Sequence, residues 1–315
     1  MILLVDMQCR DGCVVGQSAT DDLTPRIVEL GAQLARHYPA WDVSDLTVAG
    51  AGLNFLVCRA ETSAFGPVAL RVPWVRTLVN DTDGILDARR LLIQEAALTA
   101  HVRAHSLPCP AIRALHLGAD GYDFLASEFV VSDGSAPDRR AFGRLMRALH
   151  RIPPPELALI EAGAGTFHGR IAARLTERAA AFARLTGAPL PLPSEDALAG
   201  LLAPRTAHRA ILHMDARPAN LFAREGRLVA IADWGNALIG DPALELARIA
   251  ESGHLDDEFL GGYGDDPLGA LPPALATIYR LDTVVMLALV FLAEAPDPEA
   301  ARAMIARARA LAAAL

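Results

Sequence analysis

The chain has 315 residues, 52% of them hydrophobic and 21% charged, which excludes a disordered polypeptide and allows a sizeable core. At roughly 150 residues per domain, two lobes are expected. A net charge of −8 argues against DNA or RNA as the main partner, because phosphate backbones require a basic footprint, and implies no membrane surface.

In chain order, a helix at about 22–37 precedes strand signals. Segments 46–49 and 55–60 flank Gly50-Ala51-Gly52-Leu53-Asn54, the outline of a hairpin with a glycine-rich tip, and VALRVP at 68–73 is a third strand. Over 87–105 the period turns helical, with Leu91, Glu95, Leu98 and Val102 on one face. Glu95 therefore points inward, and an inward acid requires a cationic partner. A strand over 124–131 ends at Asp133-Gly134. The remainder reads mainly helical, at 139–152 and about 168–185, 195–203, 272–294 and 297–315, the last Ala-rich and expected at the surface. Asp241-Pro242 has the form of an N-cap followed by proline at the first helical position.

All 29 basic residues are Arg, so any essential cation must be Arg or His. Cys9, Cys13, Cys58 and Cys109 show no metal-binding spacing. Cys9 and Cys13 could form a disulfide, although reduced thiols are expected. The opening MILLVDMQCR lacks the basic flank and cleavage site of a signal peptide, and the longest apolar run, 283–293, is too short to cross a bilayer. A cytoplasmic location is expected.

The stretch LHMDARPANLFAREGRLVAIADWG at 212–235 embeds Asp215, Asn220 and Asp233 in apolar surroundings. Buried carboxylates are costly without a compensating cation. Asn220 and Asp233 are thirteen residues apart, roughly 43 Å in an extended chain. Two strand-like arms about Glu225-Gly226 instead form a hairpin that pairs Asn220 with Ile231 and brings Asn220 and Asp233 together. Two oxygen-bearing side chains suit Mg²⁺, which takes one or two protein carboxylates plus substrate phosphates. Asp215, five residues before Asn220, reaches a third point of the same site, and Pro218 stiffens the loop between them.

HMDARPAN with DWG thirteen residues after the Asn resembles the H-x-D-x-x-x-x-N … D-x-G pair of the eukaryotic-like kinase superfamily. In detail it is similar to the aminoglycoside phosphotransferase and choline kinase-like family, whose loop commonly reads HGDLHPGN and whose metal motif is followed by GDP, here Gly240-Asp241-Pro242. The resemblance runs from about residue 46 to the C-terminus. It implies an α+β, bilobal protein-kinase-like fold: a nucleotide-binding lobe with an antiparallel sheet over 1–130, a hinge at about 127–132, and a larger, mainly helical catalytic lobe over 131–315.

The same resemblance implies that Asp215 orients the acceptor hydroxyl and takes its proton, that Asn220 and Asp233 bind Mg²⁺, and that His213 braces the loop. Arg217 would contact the γ-phosphate. Gly50 and Gly52 would cover the phosphates, with Asn54 beside them, unless they only make a turn. Arg71 stands where protein kinases place Lys; paired with Glu95 it would hold the α- and β-phosphates. Backbone groups of Glu128 and Val130 would read the purine edge of ATP or GTP.

The function these implications describe is Mg-dependent transfer of the γ-phosphate of ATP or GTP to a hydroxyl of a small molecule. Antibiotic inactivation, hence antibiotic resistance, is one branch, and choline-, homoserine- or fructosamine-type kinase activity is another. A nucleotide-binding pseudokinase or scaffold would be marked by loss of the base or of a metal residue, and neither is lost. No A-P-E-type segment follows Asp233, so a protein substrate is not expected. The run at 251–266, with Glu251, Asp256, Asp257, Glu258, Asp265 and Asp266, is either a solvated face or, as the family implies, a receiver of cationic substrates. His150 is read as a core or helix-terminus histidine.

Overall fold

The computed structural model describes residues 23–80, 82, 84–157, 159, 166–203 and 209–315. Cys9, Cys13 and the opening MILLVDMQCR, with the expectations attached to them, lie outside the described residues. Helix α1 (Thr24–His37) leads into strands β1 (Val43–Ala51), β2 (Phe55–Thr62) and β3 (Gly66–Pro73). A ribbon of β4 (Thr77–Asn80) and β5 (Gly84–Asp87) precedes α2 (Ala88–Ala104), which Asp87 caps by accepting from Arg89 N. There follow β6 (Ile112–His116), β7 (Phe124–Glu128), α3 (Arg139–Arg151), α4 (Phe167–Thr186), α5 (Glu195–Leu202) and β8 (Ala210–Leu212). A 3₁₀ turn (Pro218–Asn220) opens the hairpin of β9 (Leu221–Arg224) and β10 (Arg227–Ile231). After β11 (Leu238–Gly240) come α6 (Pro242–Glu251), α7 (Asp257–Tyr263), α8 (Pro273–Leu289) with a π-helical turn (Val290–Glu294), and α9 (Pro298–Ala312).

Two compact units are formed, neither continuous in sequence. The first comprises the described residues up to Leu78, Ile85–Pro137 and Pro218–Asn236. Its five-stranded antiparallel sheet has the order β1-β2-β3-β7-β6. Strand alternation sorts this sheet into two faces. Even-numbered residues Leu56, Cys58, Ala60, Val68, Leu70, Val72, Phe124 and Ala126 pack with Leu30 and Leu34 of α1 in a dry core. Odd-numbered Val57, Ala69, Arg71, Leu125 and Ser127 face a cavity. Gln33 of α1 ties the helix down by donating to Tyr122 O (2.8 Å) and accepting from Tyr122 N (2.9 Å).

The second unit holds Val79–Gly84, Asp138–Arg217 and Ala237–Leu315, and among the described residues it is mainly helical. Helix α3 buries Phe142, Leu145, Met146 and Leu149 on one stripe, and α7 lies against it. The close approach depends on Gly143 and Gly262. A Cβ at either would collide with a backbone carbonyl of the facing helix, Phe259 O or Arg140 O.

Several expectations change. Helix α7 sits inside the acidic run, capped by Asp256 accepting from Phe259 N (2.8 Å); at seven residues with two glycines it lacks a readable period. Strands β4, β5, β6 and β11 are too short, at three to five residues, to show alternation. The Ala-rich α9 is not merely superficial, because Ala301, Ala308, Leu311 and Ala312 are buried and it packs on α8. The apolar run at 283–293 belongs to a longer helical stretch, Pro273–Glu294, whose 22 residues and hydropathy of 1.9 would suffice to cross a bilayer by length and composition. That stretch is 67% buried within the protein, and its Asp282 and Tyr279 make buried polar contacts, the pattern of a core helix.

Candidate active site

The cavity in the first unit has a volume of about 410 Å³, within the usual range for small-molecule pockets. Its sheet side is Ala49, Val57, Ala69, Leu125 and Ser127, small or apolar groups that offer a flat wall to a planar ligand. Arg71, Glu95 and Asp233 close one part of it. Glu95 is 8% exposed, so the inward orientation read from its helical face is realised. Arg71 Nη1 donates to Glu95 Oε1 at 3.2 Å and lies 3.1 Å from Oε2, while Nη2 lies 2.8 Å from Asp233 Oδ1. The Arg71 guanidinium also stacks 4.2 Å from the Phe55 ring centroid.

One guanidinium thus serves two buried carboxylates. Burial pushes Glu95 up to about 7, Arg71 opposes this, and the Asp233 charge adds to it. Gln94, next to Glu95 on α2, donates to Trp234 O (3.2 Å) and Gly235 O (3.0 Å), fixing the backbone just after Asp233. Gln94 was not singled out from the sequence, because a buried Gln leaves no pattern beyond helical phase.

The hairpin reverses at Glu225 and Gly226, both with positive φ (51° and 72°), the two-residue turn that matches strand twist. Asp133 Oδ2 accepts from Glu225 N (2.7 Å) and Ser135 Oγ accepts from Gly226 N (2.9 Å); a hydrogen bond from the Ser135 side chain, with those from Glu225 N and Ser135 N, holds the Asp133 carboxyl down at about 2. The register corrects the expected Asn220–Ile231 pair. Leu221 faces Ile231, and Ala232 N donates to Asn220 O at 3.1 Å. A β-bulge between Leu228 and Ala230 absorbs Val229 and shifts the pairing by one. Asn220 is consequently one residue closer to Asp233 than a regular hairpin would place it.

Asn220 is wholly buried and Asp233 is 5% exposed, with φ of 72°, a left-handed conformation uncommon for a residue with a side chain. Together they offer an amide oxygen and a carboxylate, hard donors that fit a magnesium ion. Among the described residues no group of three or more His, Cys, Asp or Glu could hold a metal, so a dedicated all-protein cage is not formed. Two protein donors are what magnesium takes when phosphates and water complete its shell.

Asp215 lies on a loop of the second unit and is 4% exposed. Its backbone N–H donates to His213 Nδ1 (3.2 Å), which assigns the His213 proton to Nε2 and makes His213 a brace within the loop. Arg217 Nε lies 3.0 Å from Asp215 Oδ1. Glu245 on α6 accepts from His213 N (2.8 Å) and Met214 N (2.7 Å), supporting Met214 at a φ of 60°. His150 Nε2 lies 3.0 Å from Glu245 Oε2, and Nδ1 lies 2.8 Å from Tyr263 Oη. Burial pushes Glu245 up, but the hydrogen bond and charge of His150, with His213, outweigh it and hold the carboxyl below its ordinary range. Glu245 was missed in the sequence, though an acid between Leu244 and Leu246 carries the same signal as Glu95. Asp241 caps α6 by accepting from Ala243 N (3.0 Å), as expected, and also accepts from Tyr279 Oη (3.2 Å).

The other expected residues are distributed as follows. Glu128 and Val130 line the cavity. Glu128 N donates to Ala111 O (2.8 Å), so its N–H is already engaged within the protein. Gly50, Gly52 and Asn54 are not among the lining residues. Their loop is closed by Gly52 N donating to Phe55 O (2.8 Å) and Trp74 Nε1 donating to Gly52 O (2.8 Å). Neither glycine has a positive φ, so backbone conformation does not explain them.

Comparison with known proteins adds the family. The sequence profile of the "Phosphotransferase enzyme family" matches residues 45–278. No curated protein sequence matches the chain significantly. Among solved structures, a protein from Haemophilus somnus 129PT assigned as a fructosamine-3-kinase is 12% identical, with a TM-score of 0.64 over 90% of this chain and 96% of that one. A thermostable mutant of aminoglycoside phosphotransferase APH(4)-Ia, in ternary complex with AMP-PNP and hygromycin B, is 14% identical (TM-score 0.60; 90% and 98% covered). The GDP complex of wild-type aminoglycoside 2′-phosphotransferase-IIIa is 15% identical (TM-score 0.60; 91% and 99% covered). At such identities the likeness is one of fold: the α+β protein-kinase-like architecture, with an antiparallel sheet in the N-terminal part and a helical C-terminal part.

Proposed function

Because the chain belongs to the phosphotransferase enzyme family, we propose that it transfers the γ-phosphoryl group of ATP or GTP to a hydroxyl of a small molecule. The observation that carries this reading is the buried fork of Arg71 between Glu95 and Asp233 at the edge of a nucleotide-sized cavity. Complexes of similar folds with AMP-PNP and GDP support a nucleotide cosubstrate.

In this reading the acceptor oxygen bonds to the γ-phosphorus while the bond from that phosphorus to the β,γ-bridging oxygen breaks. The nucleoside diphosphate leaves with that electron pair, and the acceptor's proton passes to Asp215. Magnesium, held by Asn220 and Asp233, would neutralise phosphate charge. Arg71 supplies fixed positive charge to the phosphates, and Glu95 keeps its guanidinium aimed. His213 and Glu245 hold the backbone that carries Asp215, so that its carboxylate is aligned before the acceptor arrives. Arg217, paired with Asp215, is the second cation for the γ-phosphate. The Glu128 carbonyl and Val130 N–H, in the proposed hinge at 127–132, read the base, and the loop with Gly50, Gly52 and Asn54 covers the phosphates.

The enzyme acts in the cytoplasm in this reading, on an antibiotic or on a metabolite of the choline, homoserine or fructosamine kind. Asp215→Ala and Asp233→Ala should keep the fold, judged by circular dichroism, and lose transfer across a panel of aminoglycosides, amino alcohols, sugars and hydroxy acids with Mg-ATP. Undiminished transfer by either variant defeats the assignment. Nucleotide binding with no transfer to any acceptor would make the protein a scaffold.

A further inference from the structure

A second cavity, of about 440 Å³, lies wholly within the second unit. Asp215, Asn220 and Asp233 are not among its lining residues, so it is separate from the candidate active site. Its walls carry opposite charges. Arg147 and Arg151, four residues apart at the end of α3, form one side, and Asp265 and Asp266, just after α7, form the other.

Both walls are held in place. The Arg147 guanidinium lies across Gly264, the left-handed C-cap of α7 (φ 95°), where a Cβ would collide with it. Asp266 accepts from Gly269 N (2.8 Å), which sets the turn that presents the exposed Asp265. Pro242, Pro267 and Ala270 supply an apolar part between the charges.

The remaining two lining residues, His150 and Tyr263, lead to the Asp215 loop. His150 Nδ1 lies 2.8 Å from Tyr263 Oη and Nε2 lies 3.0 Å from Glu245 Oε2, and the same carboxylate accepts from His213 N and Met214 N. Glu245, held below its ordinary range, is ionised and only accepts. In the neutral imidazole, Nε2–H therefore donates to Glu245 and Nδ1 accepts the Tyr263 hydroxyl. Burial pushes Tyr263 up, and Asp265, Glu245 and Asp241 add to this against Arg147, so the hydroxyl keeps its hydrogen. A ligand oxygen at Tyr263 competes with His150 for that hydrogen. Losing it frees the ring that steadies Glu245, because members of a buried chain of hydrogen bonds strengthen one another.

We propose that this cavity is a second ligand site for a small zwitterion of the α-amino acid type, whose occupancy loosens the backbone at His213 and Met214. Its carboxylate would lie on Arg147 and Arg151, its ammonium on Asp265, and its aliphatic part on Pro242 and Pro267. A simple anion leaves the acidic wall unanswered, and a polycation leaves the basic one. The site does not depend on the phosphotransfer reading, whereas its effect on turnover does.

The test titrates the full chain by calorimetry with L-leucine, N-acetyl-L-leucine, which lacks the ammonium, and L-leucinamide, which lacks the carboxylate. Hydrogen exchange of the segment 211–217 is followed in parallel. Leucine should bind saturably, roughly tenfold or more tightly than either derivative. Arg151→Met and Asp265→Asn, at exposed positions where the fold should persist, should each weaken leucine about fivefold or more. Saturating leucine should speed exchange at His213 and Met214 severalfold, and Tyr263→Phe, saturated in the same way, should lose that response. The proposal is overturned if leucine does not saturate, if a derivative or kanamycin binds as well, or if both charge variants bind leucine like wild type. Unchanged exchange at saturation overturns the link to the Asp215 loop. Absence of transfer to every acceptor, with leucine binding and its exchange response intact, sinks the phosphotransfer reading and upholds this site.

Discussion

Arg71 and Asp233 form a buried ion pair, Nη2 to Oδ1 at 2.8 Å, while the other arm of the same guanidinium holds Glu95. An ammonium is a single point charge, so a Lys at this place could not serve both carboxylates with two fixed donors. In a chain without Lys, the planar fork joins strand β3, helix α2 and the segment after β10 through one side chain.

Arg71→Met should cost about 3–5 kcal/mol in urea unfolding, because it leaves two buried carboxylates without their cation. Arg71→Lys should cost less and still weaken nucleotide binding. Adding Glu95→Gln to Arg71→Met should restore part of the stability, since one uncompensated charge is removed. Additive losses in this cycle would show that the two carboxylates do not share the arginine.

Glu95 also sets a pH dependence. Its folded pKa, about 7, lies above its ordinary 4.5, mainly through burial. A raised folded pKa contributes stability that is complete below 4.5 and is lost as pH rises through 7. Relative to wild type, Glu95→Gln should therefore gain in melting temperature between pH 5 and pH 8, without metal or nucleotide. A constant difference across that window would mean that Glu95 titrates as an ordinary carboxyl.

The bulge at Val229 is the cheapest place to disturb the site. Deleting Val229 restores regular alternation, and a one-residue slip turns every later side chain of the strand to its opposite face. We expect the deletion to keep most helical circular dichroism and abolish Mg-dependent transfer, while Val229→Ala, at an exposed position, changes little. Transfer by the deletion variant would mean that the Asn220 and Asp233 geometry is unimportant.

Glu245→Ala removes the acceptor of two buried N–H groups and the partner of His150. A cost of roughly 2–5 kcal/mol is expected, since each stranded group carries its own desolvation penalty. Acting through the Asp215 loop, the change should lower kcat far more than it alters the nucleotide KM. Equal effects on both would make Glu245 a general stability residue.

Much of this was legible because it depends on local pattern. The period of α2 turned Glu95 inward, the Glu225-Gly226 pair announced the reversal, and Asp241-Pro242 announced the start of α6. The spacing from Asp215 through Asn220 to Asp233 carried the family. These signals are encoded in residue order, since helical phase, turn chemistry and capping are set by neighbours within a few positions.

Tertiary structure decided the rest. No local rule told that Val229 would bulge, that Arg71 would divide itself between two acids, or that Glu245 would support the Asp215 loop from 30 residues away. Nor did composition reveal that the Glu251 carboxylate is spent on Arg280 and Arg307. The cost of burying a charge depends on what the fold brings within a few ångströms of it, and that is a property of the packed chain rather than of residue order.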